Sequence, residues 1–208
     1  MKRSQAVVIL LASLAAACAS TPGVDRSEPR RVLGREADVR LDAQIFADRV
    51  GAGSSIRMTW EVENQREAPI AIADLVPAVS YDETEHTIVI HLGSEVPGNE
   101  LVPRLIRVGS GETKIFHGVA KVTLHLPPPS PLRSNPRLLQ VRLSFLSEVG
   151  PFEELVGITE NAIRDPEMAN RMFTRWVEAN ETIRTNTLPI DWTGTGRTIA
   201  PGPPRRRF

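Results

Sequence analysis

From residue 37 to residue 147, apolar and polar positions alternate with a period of two, broken at Gly, Pro, Asn and Asp. That period is the mark of half-buried strands. Val39, Leu41, Ala43 and Ile45 share one face of a first predicted strand, and Gly51-Ala52-Gly53-Ser54 makes a turn. Ile56, Met58, Trp60 and Val62 then face inward while Arg57, Thr59, Glu61 and Glu63 face out, so Trp60 is the expected centre of the core. Asn64-Gln65 opens another turn. Pro69 restricts the strand around Ile70 to Leu75 to an edge, or to pairing that begins after the proline. Val79 and Tyr81 mark a short piece; Ile88, Ile90 and Leu92 line a further strand. Residues 93–100 read as a loop. A strand near Leu101 to Val108 leads into Gly109-Ser110-Gly111, a predicted hairpin turn. The longest strand carries Phe116, Gly118, Ala120, Val122, Leu124 and Leu126 on one face, and His117, Lys121, Thr123 and His125 on the other. Pro127-Pro128-Pro129-Ser130-Pro131 ends it in a stiff polyproline-like stretch. Leu139, Val141, Leu143 and Phe145 point inward from the last strand.

The period changes after Gly150-Pro151. Residues 159–163 suggest a short helical turn. Asp165-Pro166-Glu167 is a helix start, with an N-cap carboxylate, proline at the first helical position and an acid in the first turn. Met168, Met172, Phe173, Trp176, Val177 and Ile183 follow at helical spacing, which predicts a helix from Pro166 to Arg184. Leu188, Ile190 and Trp192 are expected to bring the chain back onto the body.

About seven to nine short strands with turn signals every 8–12 residues imply a β-sandwich or barrel with solvated outer faces. The stretch Trp60-Glu61-Val62-Glu63-Asn64, together with Gly109-Ser110-Gly111-Glu112-Thr113-Lys114-Ile115-Phe116, resembles immunoglobulin-like or fibronectin-type modules of bacterial surface proteins. The resemblance spans residues 37–148. It implies a mainly β chain, an immunoglobulin-like antiparallel β-sandwich, here followed by a C-terminal amphipathic helix. It carries no activity with it.

The amino terminus has a different grammar. Lys2 and Arg3 precede the apolar run Ala6 to Leu14, too short for the roughly 20 residues that span a bilayer. Ala15-Ala16-Ala17 then leads to Cys18, the one cysteine of the chain. This arrangement resembles the export signal and lipobox of bacterial lipoproteins, with Ala15 in the place usually held by Leu. The resemblance implies a diacylglyceryl thioether on Cys18, cleavage before it, and acylation (typically palmitate) of the new amine. Two or three acyl chains make a stable membrane anchor. Ala19 in place of Asp favours the outer membrane, with the domain facing the periplasm. The organisation read from sequence is a signal peptide at 1–17, a lipidated tether at 18–36 that is polar and Pro-containing, the β-sandwich at 37–148, a helical extension at 149–193, and a disordered Pro/Arg-rich tail at 194–208.

Lys and Arg together number 25, as do Asp and Glu, and loss of Lys2 and Arg3 with the signal leaves 23 basic side chains against 25 acidic ones. That balance is not the footprint of a nucleic-acid binder. With one cysteine there is no internal disulfide, so the core must hold unaided.

Candidate chemistry is sparse. His117 and His125 share a face eight residues apart, roughly 26 Å at about 3.3 Å per residue, too far for one ion. His86 and His91 fall on opposite faces, so no metal site and no cofactor is expected. Asp82, Glu83 and Glu85 form an acidic turn without the spacing of a calcium loop. Glu61 and Glu63 are outward carboxylates with no cleft to shift them. No nucleophile elbow or phosphate-binding glycine loop is present. The stripe Met168, Met172, Phe173 and Trp176 is either the helix's own core face or a partner-binding face. Arg205-Arg206-Arg207 is a solubilising tail or a polyanion contact.

These readings point to a non-enzymatic, membrane-anchored envelope lipoprotein that acts as a protein-binding or scaffold module through sheet faces, edges or loops. The alternatives are an envelope glycan-binding module, which requires exposed aromatic side chains in a groove, and a hydrolase or metal protein assembled across strands.

Overall fold

The computed structural model describes residues 30–93, 101–124 and 135–195. The signal, Cys18, His125, the Pro127 to Pro131 stretch and residues 196–208 of the Pro/Arg-rich tail lie outside them, while Gly194 and Thr195, read from sequence as part of that disordered tail, are in a strand. In chain order the elements are β1 (Arg30–Glu36), β2 (Val39–Ile45), β3 (Arg49–Ala52), β4 (Ser55–Asn64), β5 (Ile70–Ala73), β6 (Ala78–Asp82), β7 (Thr87–Leu92), β8 (Leu101–Pro103), β9 (Leu105–Val108), β10 (Thr113–Lys121), β11 (Leu138–Leu146), α1 (Glu153–Val156), β12 (Ala162–Arg164), α2 (Pro166–Ala179), β13 (Asn180–Arg184), β14 (Leu188–Pro189) and β15 (Asp191–Thr195). The protein is mainly β, with several sheets and a curled half-barrel.

One sheet runs β1-β2-β4-β10, all antiparallel; the larger runs β6-β7-β11-β5-β9, with β13 and β14 also paired to β11. The period-two pattern explains why they close on each other. Leu41, Ile56, Met58, Trp60 and Val62 from the first sheet and Ile72, Ile90, Leu139, Val141 and Leu143 from the second belong to one buried cluster. The expected inward faces of β2, β4, β7 and β11 are the observed ones.

Two pairings are parallel, β7 with β11 and β3 with β15, where a purely antiparallel sandwich has none. β5 begins at Ile70, directly after Pro69, and lies between β11 and β9. The pairing-after-proline alternative is therefore the observed one. All four of its residues are buried, because a second core covers its other side. There Ala71, Ala73, Leu105 and Leu146 meet Phe152, Leu155, Met172 and Trp176.

Three sequence expectations are corrected. Arg30–Glu36, placed in the tether, is strand β1, paired with β2 along its whole length. Gly109 to Gly111 is not a hairpin turn: β9 pairs with β5 and β10 with β4, so this turn crosses from one sheet to the other. The reason is Asn64. Its buried amide donates to the carbonyls of Ala68, Val108 and Gly109, and its backbone carbonyl accepts the N–H of Gly111, which sits at φ +68°. One residue thus ties together both crossings between the sheets.

The third correction concerns residues 149–193, read as a helical extension. Asp165 caps α2 as expected, its Oδ1 accepting from Met168 N at 2.9 Å. The helix ends at Ala179, not Arg184. The Ala179 carbonyl accepts both the N–H and the hydroxyl of Ser147, and Asn180 turns extended. Residues 180–184 then complete the edge of β11 as β13. Ile183 fits either period, but its side chain sits in the first core. Ala162 and Ile163, expected in a helical turn over 159–163, instead belong to β12, which pairs with β8.

Candidate functional site: an open strand edge

The two edges of the first sheet are treated differently. At β1 the edge is closed. Leu33 N donates to Asn186 Oδ1 at 2.7 Å, Asn186 N donates to Leu33 O at 3.0 Å, and the Gly34 backbone lies so close to Arg184 that a Cβ would stand 2.7 Å from its carbonyl oxygen. The outer face beside this edge is locked by charge. Asp42 is held by Arg31, whose Nε donates at 2.7 Å, and by Arg40. The Arg31 hydrogen bond, more than charge alone, holds the Asp42 carboxyl below the usual range despite its burial.

At the opposite edge, β10 pairs only with β4 among the described residues. At its two ends the bonds to the β4 side are made by even-numbered residues: Glu112 O accepts from Asn64 N, and Val122 N donates to Ser54 O. In an antiparallel pair these bonds alternate, so Lys114, Phe116, Gly118 and Ala120 face β4. The backbone N–H and C=O groups of Ile115, His117 and Val119 therefore face away from the sheet. Their side chains lie on its outer face, with Ile115 61% and Val119 38% exposed. A strand edge with free backbone groups and apolar neighbours is a template for another strand.

A depression flanks this edge on each side. The inner one, about 560 Å³, is lined by Trp60, Phe116, Gly118, Val76, Pro77 and their neighbours. The outer one, about 500 Å³, is lined by Phe46, Arg57, Thr59, His117, Gly118 and Val119. Both converge on Gly118, and the sequence explains why glycine stands there. Trp60 stacks on Phe116 with ring centroids 5.6 Å apart and planes 6° apart. A Cβ on Gly118 would stand 3.0 Å from that indole ring and 3.4 Å from Pro77. Trp60 is the expected core residue, 7% exposed, and its Nε1 has no hydrogen-bond partner among the described residues. An unpaired buried donor of this kind is costly.

The residues singled out from sequence do not gather here. Met172 and Trp176 are 4% and 1% exposed and belong to the second core, where Trp176 meets Phe152 edge to face at 5.5 Å. Met168 packs against the same cluster, and Phe173, 49% exposed, looks away from it. The helix stripe is thus mostly its own core face, and the partner-binding set Met168, Met172, Phe173 and Trp176 is not one surface.

Three of the histidines are separately bonded, His117 to Thr59, His91 to Ser80 and His86 to Tyr81. Burial, and then Arg142, holds His91 below the ordinary imidazole range. Among the described residues no three His, Cys, Asp or Glu side chains are placed to hold a metal ion. Asp82 Oδ1 accepts from the N–H groups of Thr84 and Glu85, so the acidic stretch is a self-bonded turn. Glu63 accepts from Gln65 Nε2 and pairs with Arg40, and these contacts lower its pKa. Neither it nor Glu61 lines the two depressions. Among the described residues no helix is long and apolar enough to cross a membrane.

No protein family, curated protein or solved structure matches this chain.

The sequence pattern alone does not reveal this edge. Its one signal there is the pair of apolar residues, Ile115 and Val119, on the polar face of the β10 alternation.

Proposed function

We propose that this chain is a membrane-anchored, non-enzymatic lipoprotein of the cell envelope that binds a protein partner by adding a strand to β10. The observation that carries the reading is the open edge at Ile115, His117 and Val119, with a depression on either side. An added strand projects successive side chains to opposite faces. Its backbone supplies affinity, and the Trp60–Phe116 and Phe46–Val119 depressions supply selectivity. Export and lipidation at Cys18, in the outer membrane and facing the periplasm, rest on the signal and lipobox described above. The two sheets sharing one core support an immunoglobulin-like frame, modified by the β7–β11 parallel pairing and by the helical layer. A glycan platform needs an open aromatic face; Trp60 is buried and already stacked, which favours the strand reading.

The test uses the full chain expressed in a bacterial envelope. Changing Cys18 to Ser is expected to release the chain from the membrane fraction. A photo-crosslinking side chain at Val119 is expected to give a protein adduct. Val119→Pro, measured with the crosslinker at Ile115, removes one edge-facing N–H without touching the β4 pairing and should abolish it. Adducts that persist in Val119→Pro, or that form equally from exposed Val177, would sink the edge reading.

A further inference from the structure

We propose that the strand received by β10 is β10 of a second copy, so that two anchored chains form one continuous eight-stranded outer sheet about a two-fold axis at His117. This pairing rests on the strand-addition reading and names its partner.

The edge is self-complementary. Its outward residues Thr113, Ile115, His117, Val119 and Lys121 read polar, apolar, His, apolar, polar from either end. Antiparallel pairing centred on His117 sets Ile115 against Val119 of the second copy, twice, and covers the two exposed apolar side chains of the strand. Cross-strand pairs of this kind are the unit of sheet stability. On the inner face the same register sets Phe116 against Gly118 of the second copy.

Charge selects the direction. Within one chain Glu61 lies opposite Ile115, and Arg57 lies opposite Val119. The two-fold pairing builds the row Glu61, Ile115, Val119, Arg57 across the joint, an acid at one end and a base at the other. Lys121 falls beside Thr113 of the second copy, whose own neighbour is Glu63. A parallel pairing instead sets Lys121 directly beside its own copy, and like charges directly opposite on adjoining strands oppose association. One strand pair is a small interface. Tethering both copies to one membrane raises their effective concentration and compensates for that.

Because the His117 backbone faces the joint, the two copies of His117 form a hydrogen-bonded pair on the axis. Cα atoms in such a pair lie about 5.5 Å apart, within the span of a disulfide. Two differently tagged copies of full-length His117→Cys would be co-expressed in the envelope and mildly oxidised. Wild type, whose only cysteine is Cys18, is the control. Most of the chain is expected in a reducible dimer, about half of which carries both tags when the copies pair at random. Adding Ile115→Lys and Val119→Lys, both at exposed positions, should cut the dimer about tenfold, since each lysine then meets a lysine of the other copy. A disulfide from the introduced thiol to a different protein, with no mixed-tag dimer, would overturn the second-copy proposal while leaving strand addition intact. No disulfide from the introduced thiol at all would overturn both. Equal dimer from Val177→Cys would expose random collision and overturn the proposal as well.

Discussion

Replacing Trp176 with alanine is expected to lower stability by about 4 kcal/mol, within the range for truncating a large buried aromatic. Trp176 is the largest fully buried side chain and stands between α2 and the back of the second sheet. Its loss removes the edge-to-face contact with Phe152 and opens a cavity that Leu155, Met172 and Ala179 must line. The helix offers little relief, because Asp165 fixes its start and Ser147 its end. For a domain of this size the melting temperature should fall by roughly 8–16 °C. Phe173→Ala, three residues away on the exposed side, should stay within about 0.5 kcal/mol. Thermal unfolding of the two variants checks both. A near-neutral Trp176→Ala would mean that α2 is not docked on its own domain, and would restore the helix as a partner surface.

The second large effect is expected at Asn64. Alanine there strips the donors from three carbonyl oxygens, of which that of Val108 is buried with Asn64 itself. It also removes the acceptor for Arg66 N. Unsatisfied buried groups make the expected loss about 3 kcal/mol. The effect should be larger than for an ordinary turn residue, because Asn64 holds the β4–β5 and β9–β10 crossings together. Asn64→Asp is the sharper variant. It keeps the shape but turns a donor toward three carbonyls into a buried acid, so it should cost at least as much. Denaturant unfolding measures both, and a loss under about 0.5 kcal/mol, the range of an ordinary surface change, would show that backbone bonds alone hold the crossings.

Much of this architecture was legible because period-two alternation is a direct consequence of one buried face. The inward sets on β2, β4, β7 and β11 could be read residue by residue, and so could the cap and first turn of α2. The misreadings share a cause. Arg30–Glu36 has only one fully buried residue, Val32, so its strand character comes from pairing with β2 and not from pattern. Asn180–Arg184 continues a helical spacing by coincidence, and the free edge of β11 decides otherwise. Gly109 to Gly111 has the composition of a hairpin turn, but the distant Asn64 makes it a crossing. The open edge at β10 depends on which strand lacks a second partner among the described residues, and that is a property of topology.

Both binding proposals for this protein depend on β10 presenting free backbone groups to a second strand. Residue-resolved amide hydrogen exchange on the dilute, monomeric full chain reads those groups one by one. Fast exchange is expected at Ile115, His117 and Val119 and slow exchange at Phe116, Gly118 and Ala120, an alternation along one strand that only an unpaired edge produces. Uniformly slow exchange at all six in the dilute monomer would mean that the chain already covers this edge itself, and strand addition at β10 would be ruled out.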